Sequence, residues 1–83
     1  MKIKKNIAVS EAGYLFNPST GESFSVNPVG VEIIRMLQEG KSEEEISGTL
    51  LSEYNTDEAT LEKDYTDFIG FLRKYQILEA DHE

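Results

Sequence analysis

The 83-residue chain contains no cysteine and no tryptophan, and its single histidine, His82, is the penultimate residue. The absence of cysteine excludes disulfides, thiolate nucleophiles and cysteine-based zinc or iron–sulfur sites. No hydrophobic run exceeds three residues, so we expect no membrane-spanning helix, which needs about 20 apolar residues. The basic N-terminus is not followed by the apolar segment of a signal peptide, and we therefore expect a cytoplasmic protein.

Basic residues are also scarce, because 8 Lys and Arg stand against 16 Asp and Glu, for a net charge of −8. Lys2, Lys4 and Lys5 crowd the N-terminus, whereas the segment 39–67 is strongly acidic. Nucleic-acid binding relies on clustered cations that displace counterions from phosphates. The charge distribution therefore argues against a nucleic-acid partner.

The length allows a single domain over residues 1–83, with a core at about 7–79 and a polar tail at 80–83. Its first third is rich in β-prone residues that alternate with polar ones and are separated by turn residues. This pattern predicts three short strands joined into an antiparallel meander. The predicted strands cover residues 7–9, 14–16 and 23–26.

The remaining residues change to helical periodicity and carry helix-capping signals. Asn27 followed by Pro28 predicts the start of a first helix, which Gly40 ends. Ser42 and Glu45 form the spacing of a capping box that opens a second helix. Apolar residues that step by four and three predict a third helix at about 57–75. The fold class is therefore α+β, with three strands followed by three helices in a winged-helix-like order.

Candidate catalytic groups are weak throughout the sequence. His82 lies in the polar tail, and residues 43–45 are glutamates that suit a helix N-terminus. Asp64 and Asp67 have a spacing that would place both on one helix face, where solvation is more common than metal binding. The glycines are too scattered to cradle a phosphate. We therefore expect a protein that is not an enzyme and that uses no cofactor and no metal.

The third predicted strand is the most informative feature, because it forms an edge of the meander without any charge or proline in residues 23–26. Lysines guard the other edge, which is a common way of discouraging stray pairing. An unguarded edge can accept a strand from another chain. Alternatively, the third helix or the C-terminal tail covers this edge. The residues alone leave these two interpretations open.

Most of the chain resembles the PqqD-like family, also known as the precursor-peptide recognition element of ribosomally made, post-translationally modified peptides. The resemblance runs from residue 7 to residue 79 and rests on the joint order of several segments rather than on one motif. Val26 replaces the usual leucine before Asn27, and Gln76 replaces the usual glycine before the last apolar pair. The matching segments are 17–27, 30–40, 42–46 with Leu50 and Tyr54, and Asp64, Phe68 and Leu72 with 77–79.

This resemblance implies a non-catalytic chaperone that binds the leader segment of a precursor peptide and presents it to a modifying enzyme, often a radical S-adenosylmethionine (SAM) protein. The leader would add as an antiparallel strand beside the third strand, with its apolar side chains between that strand and the third helix. We expect most of the helix residues in this set to belong to the core as well. The implied peptide-binding residues are Ser23, Phe24, Ser25, Val26, Leu61, Asp64, Tyr65, Phe68, Ile69 and Leu72.

Two other functions are compatible with the same order of elements. The chain would be an adaptor or structural subunit of another enzyme complex if it never meets a leader. A DNA-binding winged helix is disfavoured, because acids occupy the N-terminal turns of the second and third helices. We expect a monomer or a weak dimer, and the sequence does not identify the peptide or its modification.

Overall fold

The computed structural model describes residues 2–79, which form three strands followed by three helices. The strands make one antiparallel sheet in the order β1-β2-β3. This arrangement confirms the α+β fold and the predicted order of elements. The predicted tail at 80–83 lies outside the described residues. The elements are β1 (Ala8–Val9), β2 (Tyr14–Asn17), β3 (Glu22–Ser25), α1 (Pro28–Gln38), α2 (Glu43–Glu53) and α3 (Glu58–Lys74).

A glycine makes the first turn of the meander possible. Gly13 has a φ of 98°, in the left-handed region, and a Cβ at this position would lie 2.6 Å from the carbonyl oxygen of Val26. The close approach lets the Val26 N–H donate to the Gly13 carbonyl at 2.8 Å. The pairing of β2 with β3 therefore continues one residue beyond Ser25. The third strand starts one residue earlier than predicted, at Glu22.

Helices α1 and α2 begin at the capping residues that the sequence predicts, and α3 is capped by Asp57. The Asn27 side chain accepts from the Gly30 N–H at 2.8 Å, and Pro28 occupies the first turn of α1. Ser42 and Glu45 form the reciprocal bonds of a capping box before α2. Asp57 accepts from the Thr60 N–H at 2.7 Å before α3. These bonds satisfy amide donors that a helix leaves unpaired in its first turn.

Helix α3 ends in a left-handed residue that is not glycine. Gln76 has a φ of 61°, while the Ile77 N–H donates to Leu72 and the Gln76 N–H donates to Arg73. This pattern is a Schellman motif, in which glycine is the usual residue at the left-handed position. Gln76 therefore occupies a left-handed position without being glycine. A non-glycine residue in this conformation costs about 1 kcal/mol.

The two ends of the described chain pair with each other. Ile3 and Leu78 form an isolated antiparallel bridge, and the Lys4 N–H donates to the Ile77 carbonyl at 2.8 Å. Ile77 has no exposed surface. The last apolar pair thus closes the core with a single bridge rather than a regular strand. The core starts at Ile3, before the expected boundary at residue 7.

The core lies between one face of the sheet and the three helices. It contains alternate strand residues and one side of each helix. No helix within residues 2–79 is long and apolar enough to cross a membrane. On the opposite sheet face, Tyr14 and Phe16 stay exposed. The fully buried apolar residues are Leu15, Ile34, Leu37, Ile46, Leu50, Leu72 and Ile77.

Candidate functional site

The backbone of β3 has one side that no other strand in residues 2–79 uses. Opposite residues in an antiparallel pair alternate between exchanging two hydrogen bonds and exchanging none. Val26 donates to Gly13, so the bonded positions of this strand are Val26, Phe24 and Glu22 in the observed register. Ser23 and Ser25 fall between them, and their N–H and C=O groups point away from β2. The edge therefore offers two donors and two acceptors.

Helix α3 presents two neighbouring stripes of side chains. Leu61, Tyr65, Ile69 and Leu72 are buried in the core. A second stripe consists of Asp64, Phe68, Phe71 and Tyr75, which recur at spacings of four, three and four and therefore share one side of the helix. Asp64 is exposed, and the three aromatic residues are half-buried. This second stripe, here called the aromatic stripe, faces β3.

Aromatic contacts join β3 to the aromatic stripe. The Phe24 ring meets Phe71 edge-on with centroids 5.5 Å apart, and Tyr75 with centroids 4.9 Å apart. Phe71 stacks on Phe68 at 6.0 Å, and Phe68 approaches Gly30 so closely that a Cβ there would lie 3.1 Å away. These rings form the floor of a groove between the open strand edge and the helix. Because each ring is only half-buried, the floor retains apolar surface for a ligand.

Phe68 also lines a cavity of about 450 Å³ that begins at Asn27, beyond the end of β3. Its walls come from the start of α1, the connection between α2 and α3, and the first half of α3. The walls are largely apolar, while Asn27, Tyr54 and Asp64 place polar groups at the cavity. The lining residues are Asn27, Val29, Gly30, Ile33, Tyr54, Thr56, Leu61, Asp64, Tyr65 and Phe68.

Charge differs between the two ends of the groove. Asp64 stands at the cavity end and makes no salt bridge or side-chain hydrogen bond within the described residues, whereas the nearby Asp67 is paired with Lys63 at 3.2 Å. At the other end, the Lys74 ammonium lies 5.5 Å from the centre of the Tyr75 ring, a cation–π distance. The groove therefore has an acidic end and an end that carries a lysine.

Tyr65 is a buried residue of the cavity lining, and its hydroxyl has no hydrogen-bond partner within residues 2–79. Burial, together with the neighbouring Glu43 carboxylate, raises the pKa of Tyr65. The hydroxyl has almost no accessible surface, so it is part of the packing and does not face the cavity as a donor.

Among the described residues, the His, Cys, Asp and Glu side chains form no group of three that could hold a metal ion.

The residues singled out from the sequence fall into three sets in the structure. Ser23, Phe24, Ser25 and Val26 lie on or directly after the open strand. Asp64 and Phe68 lie on the aromatic stripe, and Leu61 and Tyr65 are buried beside the cavity. Ile69 and Leu72 are buried and do not line the cavity.

Phe71 and Tyr75 are the two groove residues that the set from the sequence leaves out. Both residues are visible in the helical periodicity, but the apolar positions of α3 span more than one stripe. Taking Asp64 as the starting point and stepping by four, seven and eleven would have separated the aromatic stripe from the core stripe. The polar residue at the head of the stripe is the signal that identifies it.

The fold and groove define a small α+β domain that carries an open strand edge beside an aromatic helix face. The sequence profile of the family described as coenzyme PQQ synthesis protein D (PqqD) matches residues 13–78. The chain therefore belongs to the PqqD family, which confirms the resemblance drawn from the sequence. No curated protein matches the chain in sequence.

Two solved structures are similar to the chain along nearly its whole length. The structure of TbiB1 in complex with the TbiA(beta) leader peptide has a TM-score of 0.89, with 32% identity over 100% of both chains. The structure of lasso peptide synthetase B1 complexed with the leader peptide has a TM-score of 0.84, with 22% identity over 95% of this chain and 96% of that chain. The second likeness concerns the fold alone.

Proposed function

We propose that this protein binds the leader segment of a ribosomally made precursor peptide as an additional strand beside β3. The observation that carries this proposal is the outward direction of the Ser23 and Ser25 backbone groups, next to the half-buried aromatic stripe. Strand addition supplies affinity through main-chain bonds and specificity through alternate side chains. Membership of the PqqD family and the 32%-identical TbiB1, whose structure contains a leader peptide, support it.

The geometry also specifies which leader residues would contact the groove. In an added strand, every second side chain points to the same side as Phe24. Those side chains would lie on the rings of Phe68, Phe71 and Tyr75, so the leader should carry apolar residues at alternate positions. The intervening side chains would lie beside Ser23 and Ser25 on the outer face of the sheet.

The bound leader would then be presented to a modifying enzyme, and the domain would do no chemistry itself. The groove is built from backbone groups and aromatic rings, which suit binding rather than proton transfer or nucleophilic attack. Resemblance to PqqD-like proteins implies a modifying enzyme as the partner, often a radical SAM protein. Co-elution of that enzyme with the leader-loaded domain would support this partner class.

The decisive test compares Ser25→Pro with Ser25→Ala. Proline removes an N–H that points away from β2, so the sheet keeps its internal bonds, whereas alanine keeps the N–H and changes only an outward side chain. Titration calorimetry would use the TbiA(beta) leader and the leader encoded by a short reading frame beside this protein's gene. We expect Ser25→Pro to weaken binding at least about tenfold, or about 1.4 kcal/mol, and Ser25→Ala to bind like the wild type.

Circular dichroism would establish that both variants are folded. Equal leader affinity for Ser25→Pro and Ser25→Ala would refute strand addition at β3. Failure of the folded wild-type protein to bind either leader would refute leader binding and favour the adaptor function.

A further inference from the structure

The distribution of charge along the groove bears on which leaders it accepts. Asp64 heads the aromatic stripe and lines the cavity, yet it pairs with no cation within the described residues. It lies in the second turn of α3, beyond the first turn where acids complement the helix dipole. Neither helix capping nor an ion pair therefore accounts for an acid at this position.

The opposite end of the groove carries a lysine. Arg73 and Lys74 lie in the last turn of α3, and Lys74 lies over the ring of Tyr75, which contacts Phe24. Glu22 begins β3 at the same end. Arg73 is two residues from both Phe71 and Tyr75 and therefore points away from the aromatic stripe, so Lys74 is the cation at this end, with Glu22 as the acid, while Asp64 and the capping Asp57 make the other end acidic.

The packing of β3 against α3 relates these charges to the direction of a bound strand. Phe24 contacts Phe71 and Tyr75, whereas the following Val26 lies near Gly30 and Phe68. The start of β3 is thus beside the end of α3, and the two elements run in opposite directions. A strand added antiparallel to β3 would run parallel to α3, so its first residues would lie at Asp64 and its last residues at Lys74.

We infer that the groove selects leaders by the order of their charges, with Lys or Arg before the strand-forming segment and Asp or Glu after it. This inference rests on the proposed function and adds a specificity determinant to it. Asp64 meets the upstream cation, and Lys74 meets the downstream acid. Since both side chains are exposed, each contact contributes modestly and is weakened by salt.

The test uses two tagged forms of the TbiA(beta) leader that have identical composition and net charge. One form carries two lysines before the leader segment and two glutamates after it, and the other has the tags exchanged. At low salt we expect the lysine-first peptide to bind about threefold to tenfold more tightly. The preference should disappear near 1 M salt, where screening acts within about 3 Å.

Charge reversal in the protein provides the matched comparison. The double variant Asp64→Lys with Lys74→Glu should prefer the glutamate-first peptide, and Asp64→Asn should reduce the preference of the wild type. Equal affinity of the wild type for the two peptides, or a preference that the double variant does not reverse, overturns the inference alone. If the untagged leader and its two tagged forms do not bind the folded wild type, the proposed function is overturned together with it.

Discussion

The two stripes of α3 both contain large apolar side chains, but the surroundings of these side chains differ. Leu61, Tyr65, Ile69 and Leu72 are enclosed by the sheet and the other helices, whereas Phe68, Phe71 and Tyr75 are covered on one side only. The side chains of the first stripe are removed from water when the chain folds. The side chains of the second stripe are only partly removed from water, which leaves apolar surface that a ligand can still bury. One helix can thus serve folding and recognition with separate sides, and substitutions can test that separation.

The largest effect is expected in the core stripe. Leu72 has no exposed surface, so Leu72→Ala removes buried methyl groups and leaves a cavity. We expect a loss of about 2–5 kcal/mol in the free energy of unfolding, a large share of the total of a small domain. Urea denaturation followed by circular dichroism measures it. A loss below about 1 kcal/mol would mean that neighbouring side chains move into the space left by Leu72 and largely fill the cavity.

The adjacent substitution, Phe71→Ala, should affect binding more than folding. Phe71 contacts Phe24 and stacks on Phe68 in the groove, so its loss should weaken leader binding about tenfold, or about 1.4 kcal/mol. Because the ring is half-buried, we expect the unfolding free energy to fall less than for Leu72→Ala. Thr66→Ala, at an exposed position on the other side of α3, is the control. It should leave the leader affinity and the unfolding free energy unchanged. The separation of the stripes fails if Phe71→Ala destabilises the fold as much as Leu72→Ala.

The smallest effect concerns the hydroxyl in the core stripe. Tyr65→Phe removes a buried hydroxyl that has no hydrogen-bond partner among residues 2–79, so we expect stability to stay the same or to rise by about 1 kcal/mol. Burial raises the pKa of Tyr65, so the folded state holds this proton more tightly than the unfolded state. That contribution is complete below pH about 10 and decreases as the pH rises further.

A denaturation series from pH 8 to pH 11 compares the wild type with Tyr65→Phe. The wild type should lose more stability than the variant at the alkaline end. A clear destabilisation by Tyr65→Phe at neutral pH would instead indicate that the hydroxyl has a partner in solution.

Much of the fold could be predicted from the sequence, because its signals are local. Asn27 and Ser42 cap helices through bonds to residues three positions away, and Asp57 caps α3 in the same way. The absence of charge and proline in residues 23–26 allowed an open edge, but the residues alone left open whether α3 or the tail covers it. In the structure, no other described strand pairs with the free edge of β3. The N-terminal segment pairs with Leu78.

The division of α3 into two stripes could not be predicted with the same success. Steps of four and three along Leu61, Tyr65, Phe68, Leu72 and Tyr75 describe a broad apolar face, and only contacts with β3 decide where core ends and groove begins. That position depends on tertiary packing between distant segments. The set from the sequence therefore contains core residues as well as groove residues, and it leaves out Phe71 and Tyr75.

The groove is assembled from segments that are far apart in the chain. Asn17, in the hairpin that carries β3, donates through its side chain to the carbonyl of Tyr75, 58 positions away, and Phe24 meets the end of α3 through its ring. No isolated hairpin or helix contains these two walls together. The groove therefore forms only when the whole chain has folded, and an unfolded chain has no groove in which to bind a leader. By mass action, a leader at 100 times its dissociation constant would stabilise the folded chain by about 2.7 kcal/mol.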